Sequence, residues 1–250
     1  VNLPAGAGVE VYSSDDGLLW EPVGSDAGII VEDGVVRFSA SHFTYFAVVP
    51  TGEMVDTVSD DLKGVAKQIP VVEIPFVDVK DHWGTEYISK LYGIGVLKGK
   101  TPTRFAPDDS VSRAELAKIA VLAFGYEVPD SVSVAPFKDV PVNAWYAPYV
   151  QVAKEQGIIT GYSNNRFRPE WAVNRVEALK ILLEAAKVEL PAAATVAFKD
   201  VSRNAWYFKY VAYAKEHGIV SGVTKTIFRP GNNITRAEAA KIVVNILEMQ

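Results

Sequence analysis

Cysteine is absent from the 250 residues, which excludes disulfides, thiolate nucleophiles and cysteine-based metal sites while leaving the compartment open. Histidine is nearly absent. His42, His82 and His217 are scattered along the chain, so a histidine-built metal cluster is not expected, and nothing in the sequence calls for a cofactor. Basic charge is also short: 25 Lys and Arg face 30 Asp and Glu, for a net charge of −5 and a pI near 5.3. Such a chain has no global positive field with which to attract nucleic acid or anionic lipid. No stretch reaches the roughly 18 apolar residues that a spanning helix needs, so no membrane insertion is expected. The sequence shows no signal peptide, and a chain that starts at Val1 reads as a fragment or processed product.

What is present is repetition. Phe76-Val77-Asp78-Val79, Phe137-Lys138-Asp139-Val140 and Phe198-Lys199-Asp200-Val201 begin 61 residues apart. Each is followed by a tryptophan (Trp83, Trp145, Trp206) and, twelve residues later, by Gly95, Gly157 or Gly218. A Phe-x-Pro segment then ends at Pro107, Pro169 or Pro230, before Ser112-Arg113-Ala114-Glu115, Asn174-Arg175-Val176-Glu177 or Thr235-Arg236-Ala237-Glu238. Separators at 128–136 and 188–197 leave three units, 76–128, 137–189 and 198–250, behind a polar linker over 51–75 with a short helix near 61–67. Residues 1–50 read as β. Val9 to Tyr12 alternates, Asp15-Asp16-Gly17 signals a turn, and Leu18-Leu19-Trp20 starts a short run. Ile29–Val31 and Val35–Phe38 form a hairpin, and Phe43–Val49 is a last strand. So few strands suit the end of an upstream β-sandwich or a small β module.

Each unit reads as helix, loop, helix. Asp81, Asn143 and Asn204 are placed to cap the first helix, with the tryptophan one turn inside it and the glycine as a left-handed C-cap. The second helix opens on a capping box: Ser112 with Glu115, Asn174 with Glu177, Thr235 with Glu238. These second helices are apolar around most of their circumference. In the third unit only Glu238, Lys241, Asn245 and Glu248 form a polar stripe, so the three helices are expected to pack together at the centre with the first helices outside. Grooves then lie between units.

Arg113, Arg175 and Arg236 stand at the first position of these capped helices, where a guanidinium opposes the helix dipole. Three such placements call for a compensating partner. An internal carboxylate such as Asp78, Asp139 or Asp200 would serve, and so would an external carboxylate or phosphate held bidentately beside free helix-end amides. Taken alone, the three Asp read as turn or cap residues ahead of ligand contacts. The tryptophans could be core or stacking platforms for a sugar ring, and Lys118, Lys180 and Lys241 are expected to solvate the polar stripe. Guanidinium groups sealed inside the protein and neutralised by its own acids would leave no room for a guest.

The string Phe-x-Asp-Val, Trp, Gly-Ile-x-x-Gly, Phe-x-Pro, Thr-Arg-Ala-Glu resembles the S-layer homology (SLH) domain, in three tandem copies over residues 76–250. The third copy is nearest, with Gly218-Ile219-Val220-Ser221-Gly222 and Ile234-Thr235-Arg236-Ala237-Glu238. The second has Asn174 and Val176 in place of Thr and Ala, and the first carries an extra glycine, Gly93, expected to loosen its helix end. The resemblance implies a mainly α fold, with three helix-loop-helix repeats in a pseudo-threefold arrangement around a central three-helix bundle. It also implies non-catalytic anchoring at a bacterial cell surface, extracellular, by grooves that bind an anionic secondary cell-wall polysaccharide, often one bearing pyruvylated N-acetylmannosamine. The glycan-binding residues it implies are Asp78, Trp83, Arg113, Asp139, Trp145, Arg175, Asp200, Trp206 and Arg236. Two other readings are a lattice module making lateral contacts with surface-layer proteins, and part of a wall-glycan enzyme. The second is disfavoured because catalysis wants one deep cleft with paired carboxylates, not three similar constellations.

Overall fold

A computed structural model describes residues 69–191 and 198–249, together with the backbone of five strands nearer the N-terminus. The strands are β1 (Gly8–Ser14), β2 (Glu21–Pro22), β3 (Ile30–Glu32), β4 (Val35–Arg37) and β5 (Tyr45–Thr51). All pairings are antiparallel: β1 lies between β2 and β5, with Gly8 opposite Thr51 and Ser14 opposite Tyr45. Strands β3 and β4 form the expected hairpin, with Val31 opposite Val36. The Leu18–Trp20 run, His42 and the helix expected near 61–67 lie outside the described residues. The chain divides into two compact units, Val1–Ala66 and Lys67–Gln250.

The second unit is helical. Its helices are α1 (Thr85–Gly93), α2 (Arg113–Ala123), α3 (Ala147–Glu155), α4 (Arg175–Ala185), α5 (Phe208–Glu216) and α6 (Arg236–Met249). Ser112 and Asn174 complete full capping boxes, and Thr235 and Glu238 exchange the same two hydrogen bonds before α6. Gly95, Gly157 and Gly218 take φ of 77°, 72° and 70°, the left-handed turn that ends a helix. The first helices start later than the sequence suggests, behind Gly84, Tyr146 and Tyr207, none of which caps with its side chain. Asp81, Asn143 and Asn204 are therefore not N-caps. Backbone turns satisfy those helix starts instead, since Thr85 bonds to His82, Ala147 to Ala144 and Phe208 to Ala205, each amide finding a carbonyl three residues back. This displaces Trp83, Trp145 and Trp206 from the helices onto turns.

Helices α2, α4 and α6 contact one another in all three pairs, forming the central bundle, and each first helix lies on a second helix of a different repeat. Helix α3 packs on α2, α5 on α4, and α1 closes the circle on α6. Phenylalanines hold each repeat to itself: Phe137 stacks on Phe167 at 5.7 Å, Phe198 on Phe228 at 5.3 Å, and Phe76 tilts against Phe105 at 5.6 Å. All six are buried, each contributing on the order of 2–3 kcal/mol by removal from water. At the axis the amide of Val111 donates to Ile234, that of Ile234 to Val173, and that of Val173 back to Val111, at 2.9–3.0 Å. Three backbone groups from three repeats thus close a ring.

Gly93 does not loosen its helix. It lies inside α1, where an added Cβ would meet Val72 at 3.0 Å, so its bareness lets the segment ahead of the first repeat lie against the helix. That segment is pinned by Ser89, whose hydroxyl accepts from the amide of Val72 at 2.7 Å and donates to its carbonyl.

Candidate functional site

The mouths of the capped helices are not bare. Amides of Arg113 and Ala114 donate to the carbonyls of Trp171 and Pro169 in the second repeat, both at 2.9 Å. Arg175 and Val176 donate likewise to Asn232 and Pro230, and Arg236 and Ala237 to Asp109 and Pro107. Each helix start is sealed by the loop of the following repeat, so the amides expected to be free for a ligand are already bonded within the protein.

Asp78, Asp139 and Asp200 shape that loop. Each carboxylate accepts two main-chain amides: Phe105 and Ala106, Phe167 and Arg168, or Phe228 and Arg229, at 2.7–2.9 Å. Burial alone would push these carboxyls up. The amides, with Arg104, Arg166 or Arg175 nearby, outweigh it and hold all three below the usual aspartate range.

The arginines reach across repeats too. Each Nε donates to a phenylalanine carbonyl: Arg113 to Phe167 at 2.7 Å, Arg175 to Phe228 at 3.0 Å and Arg236 to Phe105 at 3.0 Å. All three residues are only 6–7% exposed. Beyond this the symmetry breaks. Arg175 holds Glu238 at 2.5 Å, and Arg236 holds Glu115 at 3.3 Å and the Lys98 carbonyl at 2.8 Å. The internal partner is therefore the capping-box glutamate of the next repeat, not the Asp of the Phe-x-Asp-Val start. Burial pushes the Arg236 guanidinium down, against the pull of Glu115, Asp109 and Asp78. The equivalent pair of Arg113 with Glu177 does not form, and among the described residues the Arg113 side chain makes only its one hydrogen bond.

Arg113 instead faces a groove of about 210 Å³, walled by Gly161 and Tyr162 of the second repeat, Glu177 and Lys180 of α4, and Trp206 of the third. Trp83, Trp145 and Trp206 are 54–55% exposed. Each has a lysine above its ring: Lys241, Lys118 and Lys180, at 5.7–6.0 Å. These lysines therefore face the tryptophans and do more than solvate a stripe. Burial and the neighbouring Lys98 push Lys118 below the usual lysine range. A depression of about 400 Å³ against Pro75, Phe76 and the Lys98–Pro102 loop includes none of the three arginines.

Tyr162 and Trp171 escape the repeat pattern, and Arg168, matched only by Arg229 of the third repeat, lies between them. The Tyr162 ring carries the Arg113 guanidinium at 4.9 Å and the Arg168 guanidinium at 4.3 Å, and Arg168 also covers the Trp171 ring at 3.9 Å. Trp171 is 57% exposed. Its signal in the sequence is departure from the repeat, since Asp109 and Asn232 occupy the matching positions. Among the described residues no acidic or histidine cluster could hold a metal ion, and no helix is long and apolar enough to cross a membrane.

Residues 75–117, 136–179 and 197–240 match the S-layer homology domain. An amylopullulanase of Thermoanaerobacterium thermosulfurigenes is 30% identical over 92% of this chain, which corresponds to 11% of the relative. The S-layer protein of Bacillus thuringiensis subsp. finitimus is 30% identical over 72% of the chain and 22% of its own length. The cellulosome-anchoring protein of Acetivibrio thermocellus is 28% identical over 61% of the chain and 35% of its own length. The chain thus spans a tenth to about a third of these relatives.

Proposed function

Because this chain belongs to the S-layer homology domain family, whose relatives above include surface-layer and anchoring proteins, we propose that it holds a larger protein at a bacterial cell surface by binding an anionic wall polysaccharide in its inter-repeat grooves. The observation that carries this reading is Arg113, a residue 7% exposed whose terminal guanidinium nitrogens have no protein acceptor among the described residues and which faces an open groove. A buried cation without an acid is costly unless a ligand supplies one, and a carboxylate matches the guanidinium fork. A ketal carboxylate such as that of pyruvylated N-acetylmannosamine fits this need.

In this reading Arg113 binds the carboxylate and Lys180 adds a second cation from α4. Trp206 offers a ring face to the sugar. Asp139 sets the wall of the groove by clamping Phe167 and Arg168 through one amide on each carboxylate oxygen. By the repeat, Arg175 with Lys241 and Trp83, and Arg236 with Lys118 and Trp145, are the equivalent parts of two further grooves, each with a glutamate across the guanidinium. A ligand there must displace an acid, so those grooves bind more weakly. Asp78 and Asp200 keep the same clamping role.

Arg113→Lys, Arg175→Lys and Arg236→Lys keep the charge and lose the fork. Co-sedimentation with purified sacculi, before and after mild acid removal of ketal groups, tests the reading. Arg113→Lys should lower retention most, and acid treatment should abolish it, with thermal unfolding confirming that each variant is folded. Undiminished retention by the folded triple variant would overturn the assignment. Self-association at micromolar concentration without glycan would instead favour a lattice module.

A further inference from the structure

Resting on that reading, we propose that Tyr162, Arg168 and Trp171 form a second subsite continuous with the Arg113 groove, binding the sugar residue next to the carboxylate-bearing one in the same polymer. Tyr162 belongs to both places. It walls the groove, and its ring is shared between Arg113 at 4.9 Å and Arg168 at 4.3 Å. The row continues outward, Arg168 lying 3.9 Å from the Trp171 ring centre and the two aromatic rings 6.4 Å apart at 57°.

Two features mark this row as built for a ligand. Arg168 forms no ion pair among the described residues and Arg113 forms none with the Glu177 that shares its groove, so two guanidinium groups outside ion pairs flank one tyrosine in a chain of net charge −5. Trp171 leaves 57% of its surface in water, an exposure that packing alone would not favour for so large a ring. With Arg168 over one face, its remaining surface is a flat platform of the kind that stacks on the C–H face of a pyranose. The forked donors of Arg168 stand beside it for hydroxyl or carboxylate oxygens. The backbone is firm: the Arg168 amide donates to Asp139, and the Trp171 carbonyl accepts from Arg113.

The row exists once. Matching positions hold Lys100, Ala106 and Asp109 in the first repeat, and Val223, Arg229 and Asn232 in the third. The second subsite therefore makes the Arg113 groove the one that reads more than a terminal sugar.

Titration calorimetry with two probes tests this: the pyruvate-ketal N-acetylmannosamine monosaccharide, and a trisaccharide ending in it. The wild-type chain should bind the trisaccharide more tightly. Trp171→Ala should weaken the trisaccharide about tenfold, roughly 1.4 kcal/mol, and leave the monosaccharide within about twofold. Arg113→Lys should weaken both. Removing the exposed Trp171 ring leaves its carbonyl in place, so the variant is expected to fold, with thermal unfolding as the check. Equal affinity of wild type and Trp171→Ala for the trisaccharide would overturn the subsite while leaving the anionic-glycan reading intact. Binding of neither probe by wild type would overturn both.

Discussion

A carboxylate that accepts two main-chain amides is worth more than a surface ion pair, because its acceptors are fixed and its charge is partly desolvated. Asp139 is such a group, and Asp139→Ala should cost about 2–3 kcal/mol in urea unfolding. Its carboxyl, like those of Asp78 and Asp200, lies below the unfolded value of about 3.9. The native state thus binds protons less readily than the unfolded chain. The stabilisation is complete above that value and is lost as pH falls through the folded pKa. Unfolding free energy should therefore fall with acidification below about pH 4, less steeply in Asp139→Asn. The arginines offer a ligand-free test of their inequality. Arg236→Met strands Glu115, whereas Arg113→Met strands no acid, so the first variant should be less stable by about 1–2 kcal/mol, a difference measurable by denaturant titration.

At the scale of the element, two glycines of one motif do different work. Gly157 ends α3 at φ 72° with nothing within 4 Å of an added Cβ, so Gly157→Ala should cost only the conformational penalty, about 1 kcal/mol. Gly161 has φ 69°, and an added Cβ would meet the Phe137 ring at 2.4 Å. Gly161→Ala must move a fully packed phenylalanine or the loop, and should cost about 2–4 kcal/mol, read as a lower thermal midpoint. Because Gly161 also walls the Arg113 groove, its substitution should weaken sacculus binding as well. These element ends were legible in the sequence, since caps and left-handed glycines act within four residues of themselves. The starts of α1, α3 and α5 were not: Asp81, Asn143 and Asn204 are good caps by chemistry, but stacked backbone turns satisfied the amides first.

Over the whole helical unit, closure is the governing feature. Helix α1 lies on α6, and Lys90 of α1, 8% exposed, bonds Glu248 of α6 at 2.7 Å and Glu86 at 2.8 Å. With the helix mouths sealed by following repeats and a hydrogen-bonded ring at the axis, no repeat has a complete core or complete backbone bonding alone. A linear solenoid loses a terminal repeat gradually, as a sum of neighbour terms. Here, a chain ending at residue 190 should lose the cooperative unfolding transition entirely, seen by circular dichroism as a broad melt. A sharp, only slightly lowered transition would show that the repeats are more independent than their contacts indicate.

The sequence alone determined the threefold repeat, the capping boxes, the glycine C-caps and the apolar second helices, because each is a local or periodic demand of backbone chemistry. Tertiary structure decided who meets whom. Trp171 and Pro169 close the mouth of α2, the capping glutamates Glu238 and Glu115 claim Arg175 and Arg236, and Arg113 is left facing a groove. Those partners are separated by 55 to 121 residues in the chain, and near-identical motifs cannot say which of three guanidinium groups falls within bonding distance of an acid. That depends on ångström-scale placement between repeats, which only the packed ring sets.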